Sequence, residues 1–146
     1  MENRVVEILL VEDNMQDAEL TIRAFKKNNL AHHILHLRDG AQALSFIFSE
    51  FPAFRPEPKD NIRLILLDLK MPKVSGIEVL RRIKADERTR TIPAVILTSS
   101  RQEHDIREAY RAGASSYVVK PVAFDQFTET VAEIGAYWLR LNQLSR

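Results

Sequence analysis

Four short apolar runs constrain this chain more than any other feature. They lie at residues 5–11 (broken by Glu7), 64–67, 94–97 and 117–119, each rich in Val, Ile and Leu and each ending at a polar residue. A strand with one wet face alternates in polarity, whereas near-continuous apolarity belongs to parallel strands covered on both faces. A fifth segment, 32–37, does alternate, and so reads as an edge strand.

The stretches between the runs carry helical spacing. Asn14 can cap a helix whose apolar face is Ala18, Ile22 and Phe25 and whose end falls at Asn28-Asn29. Asp39-Gly40 opens another with Ala43, Leu44, Ile47 and Phe48. Ser75 can cap a third bearing Ile77, Leu80 and Ile83, with Glu78 placed for a capping box. A fourth spans 104–112 and stops at Gly113. The last begins near Phe124 and puts Phe127, Val131, Ile134, Trp138 and Leu141 on one stripe. Regular alternation of strand and helix predicts a doubly wound parallel sheet with helices on both faces. Pro52, Pro56 and Pro58 make residues 51–61 a surface loop. No repeat or linker interrupts the chain, which reads as a single domain over 1–146 with its core at about 5–141 and no room for an effector domain.

Composition removes several classes of function. Without cysteine there is no disulfide, thiolate metal site or thiol nucleophile. Lys and Arg number 21 against 20 Asp and Glu, a net charge of +1, which lacks the basic excess of a nucleic-acid binder. No apolar run approaches the ~18 residues of a membrane span, and the N-terminus becomes charged too soon for a signal peptide. A cytoplasmic location is expected. Glycine occurs only at 40, 76, 113 and 135, so neither a dinucleotide fingerprint nor a P-loop exists. A mononucleotide binder would also want a Gly- or Ser-rich loop after the first strand, where Glu12-Asp13-Asn14 stands instead.

In open parallel sheets the binding crevice lies beyond the carboxyl ends of the strands. There the sequence places Glu12 and Asp13, then Asp68, then Thr98 with Ser99 and Ser100, and finally Lys120-Pro121. Three clustered carboxylates repel, and one must take up a proton unless a cation compensates. Lys120 supplies one charge. A hard divalent ion with oxygen ligands suits the remainder, and Mg²⁺ is the natural candidate. Metal, ammonium and hydroxyl beside a carboxylate suit phosphoryl transfer, the carboxylate attacking phosphorus in line to give an acyl phosphate. Asp68, alone at its strand end, reads as the nucleophile. Asp13 reads as a direct metal ligand, and Glu12 as a weaker one acting through water.

Five fragments in order carry a family resemblance: Leu9-Leu10-Val11-Glu12-Asp13-Asn14, Leu66-Leu67-Asp68-Leu69-Lys70-Met71-Pro72-Lys73-Val74-Ser75-Gly76, Ile92 to Ser100, Ala112-Gly113-Ala114 and Tyr117-Val118-Val119-Lys120-Pro121. The chain resembles a response-regulator receiver domain over nearly its full length. The resemblance implies a flavodoxin-like five-stranded parallel sheet of order 2-1-3-4-5. It implies phosphorylation of Asp68 by a histidine kinase, and Mg²⁺ held by Asp13, Asp68 and the backbone carbonyl of Lys70. Thr98 and Lys120 would contact the phosphoryl group, Tyr117 would be the switch aromatic, and the bond before Pro121 would be cis. A haloacid-dehalogenase-type phosphatase would instead want an acid two residues after its nucleophile, where Lys70 stands, and a nucleophile on the first strand.

Within that family, the Pro-containing insertion 51–61 and the terminal Tyr137-Trp138-Leu139-Arg140-Leu141-Asn142 resemble the small stand-alone regulators of bacterial and cyanobacterial phytochromes. The kinase partner implied is then a phytochrome. Output would pass through a surface change on the face of helix 104–112, strand 117–119 and helix 124–141. Tyr110, Tyr137 and Trp138 suggest homodimerisation there. His32, His33 and His36 lie on opposite faces of the edge strand without carboxylates and read as ordinary edge residues, and Arg81, Arg82, Lys84, Arg88 and Arg90 as a solvated face.

Overall fold

The computed structural model describes residues 6–30, 33–48 and 62–144. The proline-containing segment 51–61 and His32 lie outside these residues. In chain order the elements are β1 (Ile8–Val11), α1 (Met15–Lys27), β2 (Ile34–Leu37), α2 (Gly40–Ile47), β3 (Leu64–Leu67) and α3 (Gly76–Ala85). They continue with β4 (Ala94–Thr98), α4 (Glu103–Arg111), β5 (Ser116–Val119) and α5 (Phe124–Ala136), and α5 runs into a π-helical turn at Tyr137–Leu141. The strands form one parallel sheet of order β2-β1-β3-β4-β5, as expected.

Alternation along each central strand divides the core into two layers. Ile8, Leu10, Leu64, Leu66, Val95 and Leu97 pack with Ala18 and Phe25 of α1 and Phe127, Val131 and Ile134 of α5. Leu9, Val11, Ile65, Leu67, Ala94 and Ile96 pack with Ala43 and Ile47 of α2, Val79, Leu80 and Ile83 of α3, and Ala109 of α4. Both faces of β1, β3 and β4 are therefore dry, which is why their sequences are apolar without interruption. β2 is half-buried along its length and is the edge that its alternation predicts. β5 is half-buried too, although its run is as apolar as the central ones. Its place at the other end of the sheet leaves one flank without a neighbouring strand.

Local chemistry sets the helix starts. Asn14 Oδ1 accepts from the Asp17 amide at 3.0 Å, Asp39 Oδ1 from the Gln42 amide at 2.8 Å, and Ser75 Oγ from the Glu78 amide at 3.3 Å. Gly113 ends the α4 segment at φ 107°, a conformation that an L side chain resists, and a Cβ there would stand 2.7 Å from Lys84 Cγ. Lys84 is more than a solvated cation. Its ammonium donates to the carbonyls of Arg90 and Ile92 at 2.9 and 2.7 Å, and burial pushes its pKa down.

The C-terminal stripe departs from the expected one. Leu139 is buried at 4% exposure, while Leu141 is 70% exposed. In the π-helical turn the Asn142 amide bonds back to the Tyr137 carbonyl, five residues earlier, so the 3.6-residue period no longer applies. Trp138 remains packed against the core, with Tyr137 edge-on to it at 4.9 Å. Arg63 donates to the Leu139 carbonyl and Arg140 to the Asn28 carbonyl, fastening the turn to the start of β3 and the end of α1. Leu139→Ala is expected to cost ~2–4 kcal/mol of stability and Leu141→Ala less than ~0.5 kcal/mol, read as denaturant midpoints at constant m.

Candidate functional site

Parallel register brings the strand ends together. Val11 pairs with Leu67, Leu67 with Ile96, and Thr98 with Val119, so residues 12, 68, 98 and 120 emerge along one edge. The ladder extends one residue further. The Asp68 amide donates to the Val11 carbonyl at 3.1 Å and the Lys120 amide to the Thr98 carbonyl at 2.7 Å. Asp68 Oδ1 accepts from the Leu69 amide at 2.7 Å, which orients its carboxylate. The loop behind it is tight, since a Cβ on Gly76 would stand 2.1 Å from the Asp68 carbonyl oxygen.

Glu12, Asp13 and Asp68 each offer a carboxylate oxygen, all within 4.8 Å of one another, with Glu12 and Asp68 buried and Asp13 exposed. The Lys120 ammonium lies 2.8 Å from Glu12 Oε1, 2.9 Å from Asp17 Oδ2 and 3.2 Å from Asp68 Oδ2. Burial and the neighbouring Asp68 charge raise the Glu12 pKa to about 8, despite its contact with Lys120. Burial works against the charge on Lys120, yet its bond to Glu12 and the charges of Glu12 and Asp68 outweigh this and hold it above its usual range. Glu12 thus holds its proton to higher pH than an ordinary carboxyl does. An all-oxygen donor set with an excess of negative charge fits a hard divalent cation.

The other expected site residues are arranged as follows. Thr98 is buried, and its hydroxyl accepts from the Ser100 amide at 3.5 Å. Tyr117 is half-buried and donates to the Ser100 carbonyl at 2.9 Å. Lys70 turns its ammonium to Asp105 of α4 at 3.6 Å, and Asp105 accepts from Ser100 Oγ at 2.5 Å. One correction concerns Pro121. The bond before it is trans, and no cis peptide occurs among the described residues. Trans is the favoured X–Pro form by ~0.5–1 kcal/mol, and Lys120 reaches the acids directly from the end of β5 without it.

Sequence reasoning missed Asp17 and Asp105. Asp17 sits in the first turn of α1, where an acid is favourable to the helix dipole on local grounds alone. Nothing local signals its pairing with a lysine 103 positions away. His36, expected to be an ordinary edge residue, contacts the Glu12 carbonyl through Nε2 at 2.7 Å.

The fold and this acidic edge define a class, and comparison with known proteins agrees. Residues 8–132 match the response regulator receiver domain, and the chain belongs to that family. It is 45% identical over 136 residues to the probable methanogenesis regulatory protein FilR2 of Methanothrix harundinacea, covering 93% of this chain and 85% of that protein. It is 36% identical to the response regulator Rcp1 of Synechocystis over 90% of this chain and 88% of Rcp1. The crystal structure of Rcp1 in its Mn²⁺-bound form superposes with a TM-score of 0.86 over 97% of this chain and 99% of that one. The phosphorylated cyanobacterial phytochrome response regulator RcpA is 33% identical with a TM-score of 0.88, over 97% and 99% of the two chains.

Neutralising Asp68 removes the charge that disfavours ionised Glu12, while Lys120 keeps its other two partners. In chelator, Asp68→Asn should therefore raise stability by ~1 kcal/mol, or ~3 °C in Tm. Added Mg²⁺ should then raise the Tm of the wild type more than that of the variant.

Proposed function

We propose that this receiver takes a phosphoryl group from a histidine kinase onto Asp68. The convergence of the Lys120 ammonium on Glu12 and Asp68, at 2.8 and 3.2 Å, is the observation that carries the reading. Mg²⁺ would be held by Asp13 and Asp68 with the Lys70 carbonyl, and by Glu12 through water. When bound it supplies charge neutralisation at the phosphoryl oxygens and at the crowded carboxylates. The Leu69 amide holds the Asp68 carboxylate in orientation for attack. Lys120 offers a second positive group to the transferring oxygens, and Thr98, two residues before Ser100 on the same strand end, offers a hydroxyl. The chemistry is that of a signalling domain, with slow self-phosphorylation and self-dephosphorylation and no turnover of a separate substrate.

Output follows from the contacts around Ser100. Tyr117, Lys70 and α4 meet there, through the Ser100 carbonyl, Asp105 and the Ser100 hydroxyl. A phosphoryl group that draws Thr98 toward Asp68 pulls on this junction. Tyr117 then turns inward, and the α4–β5–α5 face changes. A second copy of the chain is the partner proposed for that face. Tyr110, Phe124, Tyr137 and Leu141 are exposed on these elements and the turn that extends α5. No helix among the described residues is long and apolar enough to cross a membrane, and the proposed setting is a single cytoplasmic receiver domain.

A phytochrome is the proposed sensor kinase, by similarity to RcpA, itself a cyanobacterial phytochrome response regulator. The greater identity to FilR2, named for methanogenesis regulation, favours a kinase of another sensory class as the second reading. Phosphotransfer from purified kinases decides between them, since a cognate phytochrome should label this protein faster than other kinases do. Acetyl phosphate with Mg²⁺ should phosphorylate the wild type at Asp68. Peptide mapping should find the label there, and Asp68→Asn should carry none. Labelling of Asp68→Asn with an unmodified wild type would reject the assignment. Sedimentation of the beryllofluoride-treated protein should show a dimer, and a strict monomer in both states removes the proposed dimer face.

A further inference from the structure

The Lys120 ammonium has three hydrogens and three acidic neighbours. Two of them, Glu12 and Asp68, belong with Asp13 to the carboxylate cluster whose spacing suits a cation. The third, Asp17, reaches the lysine from α1 at 2.9 Å. Its own helix fixes it, because its amide donates to Asn14 Oδ1 at 3.0 Å and its carbonyl accepts from Thr21 Oγ1 at 2.8 Å. The carboxylate is therefore presented from a rigid first turn at the margin of the site.

A phosphoryl group on Asp68 brings nearly two negative charges and three acceptor oxygens to the place of the present 3.2 Å contact. Lys120 can meet one of these oxygens with the hydrogen now on Asp68, and a second only by giving up Glu12 or Asp17. The side chains of Glu12 and Asp68 are 3% and 9% exposed, while that of Asp17 is 24% exposed. Water can re-solvate Asp17 when the ammonium leaves, and cannot do so as readily for the other two.

We propose that Asp17 is a positioning residue for phosphoryl uptake, the resting anchor from which Lys120 is drawn onto the phosphoryl oxygens. This rests on the reading of Asp68 as the acceptor. With acetyl phosphate as donor, the bond from phosphorus to the acetyl oxygen breaks as one forms to an Asp68 oxygen. Acetate leaves with the electron pair, and Lys120 changes partners without losing a proton. The charge of Asp17 holds the lysine back, so removing it favours the phosphorylated arrangement. A purely structural role in α1 predicts the opposite, or no effect.

The test uses beryllofluoride with Mg²⁺ as the phosphoryl mimic, its affinity measured calorimetrically on the full chain. Asp17→Asn should bind about fivefold more tightly than the wild type. Asp17→Glu, which keeps a carboxylate, and Glu19→Gln, which removes a charge paired with Arg23 instead, should both stay within about twofold of it. Unchanged or weaker binding by folded Asp17→Asn overturns the proposal, as does equal tightening by Asp17→Glu. On the wild type alone, the ¹³C carboxyl resonance of Asp17 should move to its solvated position as beryllofluoride binds, and a fixed resonance overturns the proposal without any variant. Wild-type binding that Asp68→Asn abolishes and Asp17→Asn leaves unchanged removes the role of Asp17 alone. Failure of the wild type to bind removes the acceptor reading and this inference with it.

Discussion

One ammonium among three carboxylates is the arrangement around which the functional edge of this protein is organised. Lys120 comes from the end of the last strand, Glu12 and Asp68 from the ends of two inner ones, and Asp17 from the helix between. A single positive charge cannot neutralise them, and Glu12 responds by holding a proton well above the usual carboxylate range. The hydrophobic layers beneath hold these groups in place against their repulsion. The same crowding of negative charge is what suits this edge to a hard divalent cation.

That floor is rigid because β1, β3 and β4 are dry on both faces and register-locked. The groups above it are joined differently. Ser100 receives Tyr117 at its carbonyl and gives its hydroxyl to Asp105, which also meets Lys70. These part-buried contacts join the loop after β4 to β5 and α4, and single hydrogen bonds of this kind are worth about 1 kcal/mol. The proposed switch would rest on this contrast between acids fixed on a packed sheet and contacts that can be exchanged.

Much of this was legible in the residue order. Asp13, Asp68, Thr98 and Lys120 each follow an apolar run, and parallel strands must bring such positions to one edge. The asparagine, aspartate and serine caps were legible because capping is a contact over three residues. The burial of β5 was not, since an apolar run does not state whether another strand lies beyond it. The swap of Leu139 for Leu141 was hidden because a stripe extrapolated at 3.6 residues cannot foresee a π-helical turn held by Arg63. The trans bond before Pro121 depends on the path of the chain around it.

By itself, then, the sequence determined the elements, the order in which charge and hydroxyl groups emerge from them, and the family to which the chain belongs. These follow from local periodicity, capping and motif spacing. The tertiary structure alone decided which acids share Lys120, why the Glu12 pKa is raised and which acid remains open to water. Those properties depend on distance and desolvation between groups remote in the chain, as with Asp17 and Lys120, 103 positions apart.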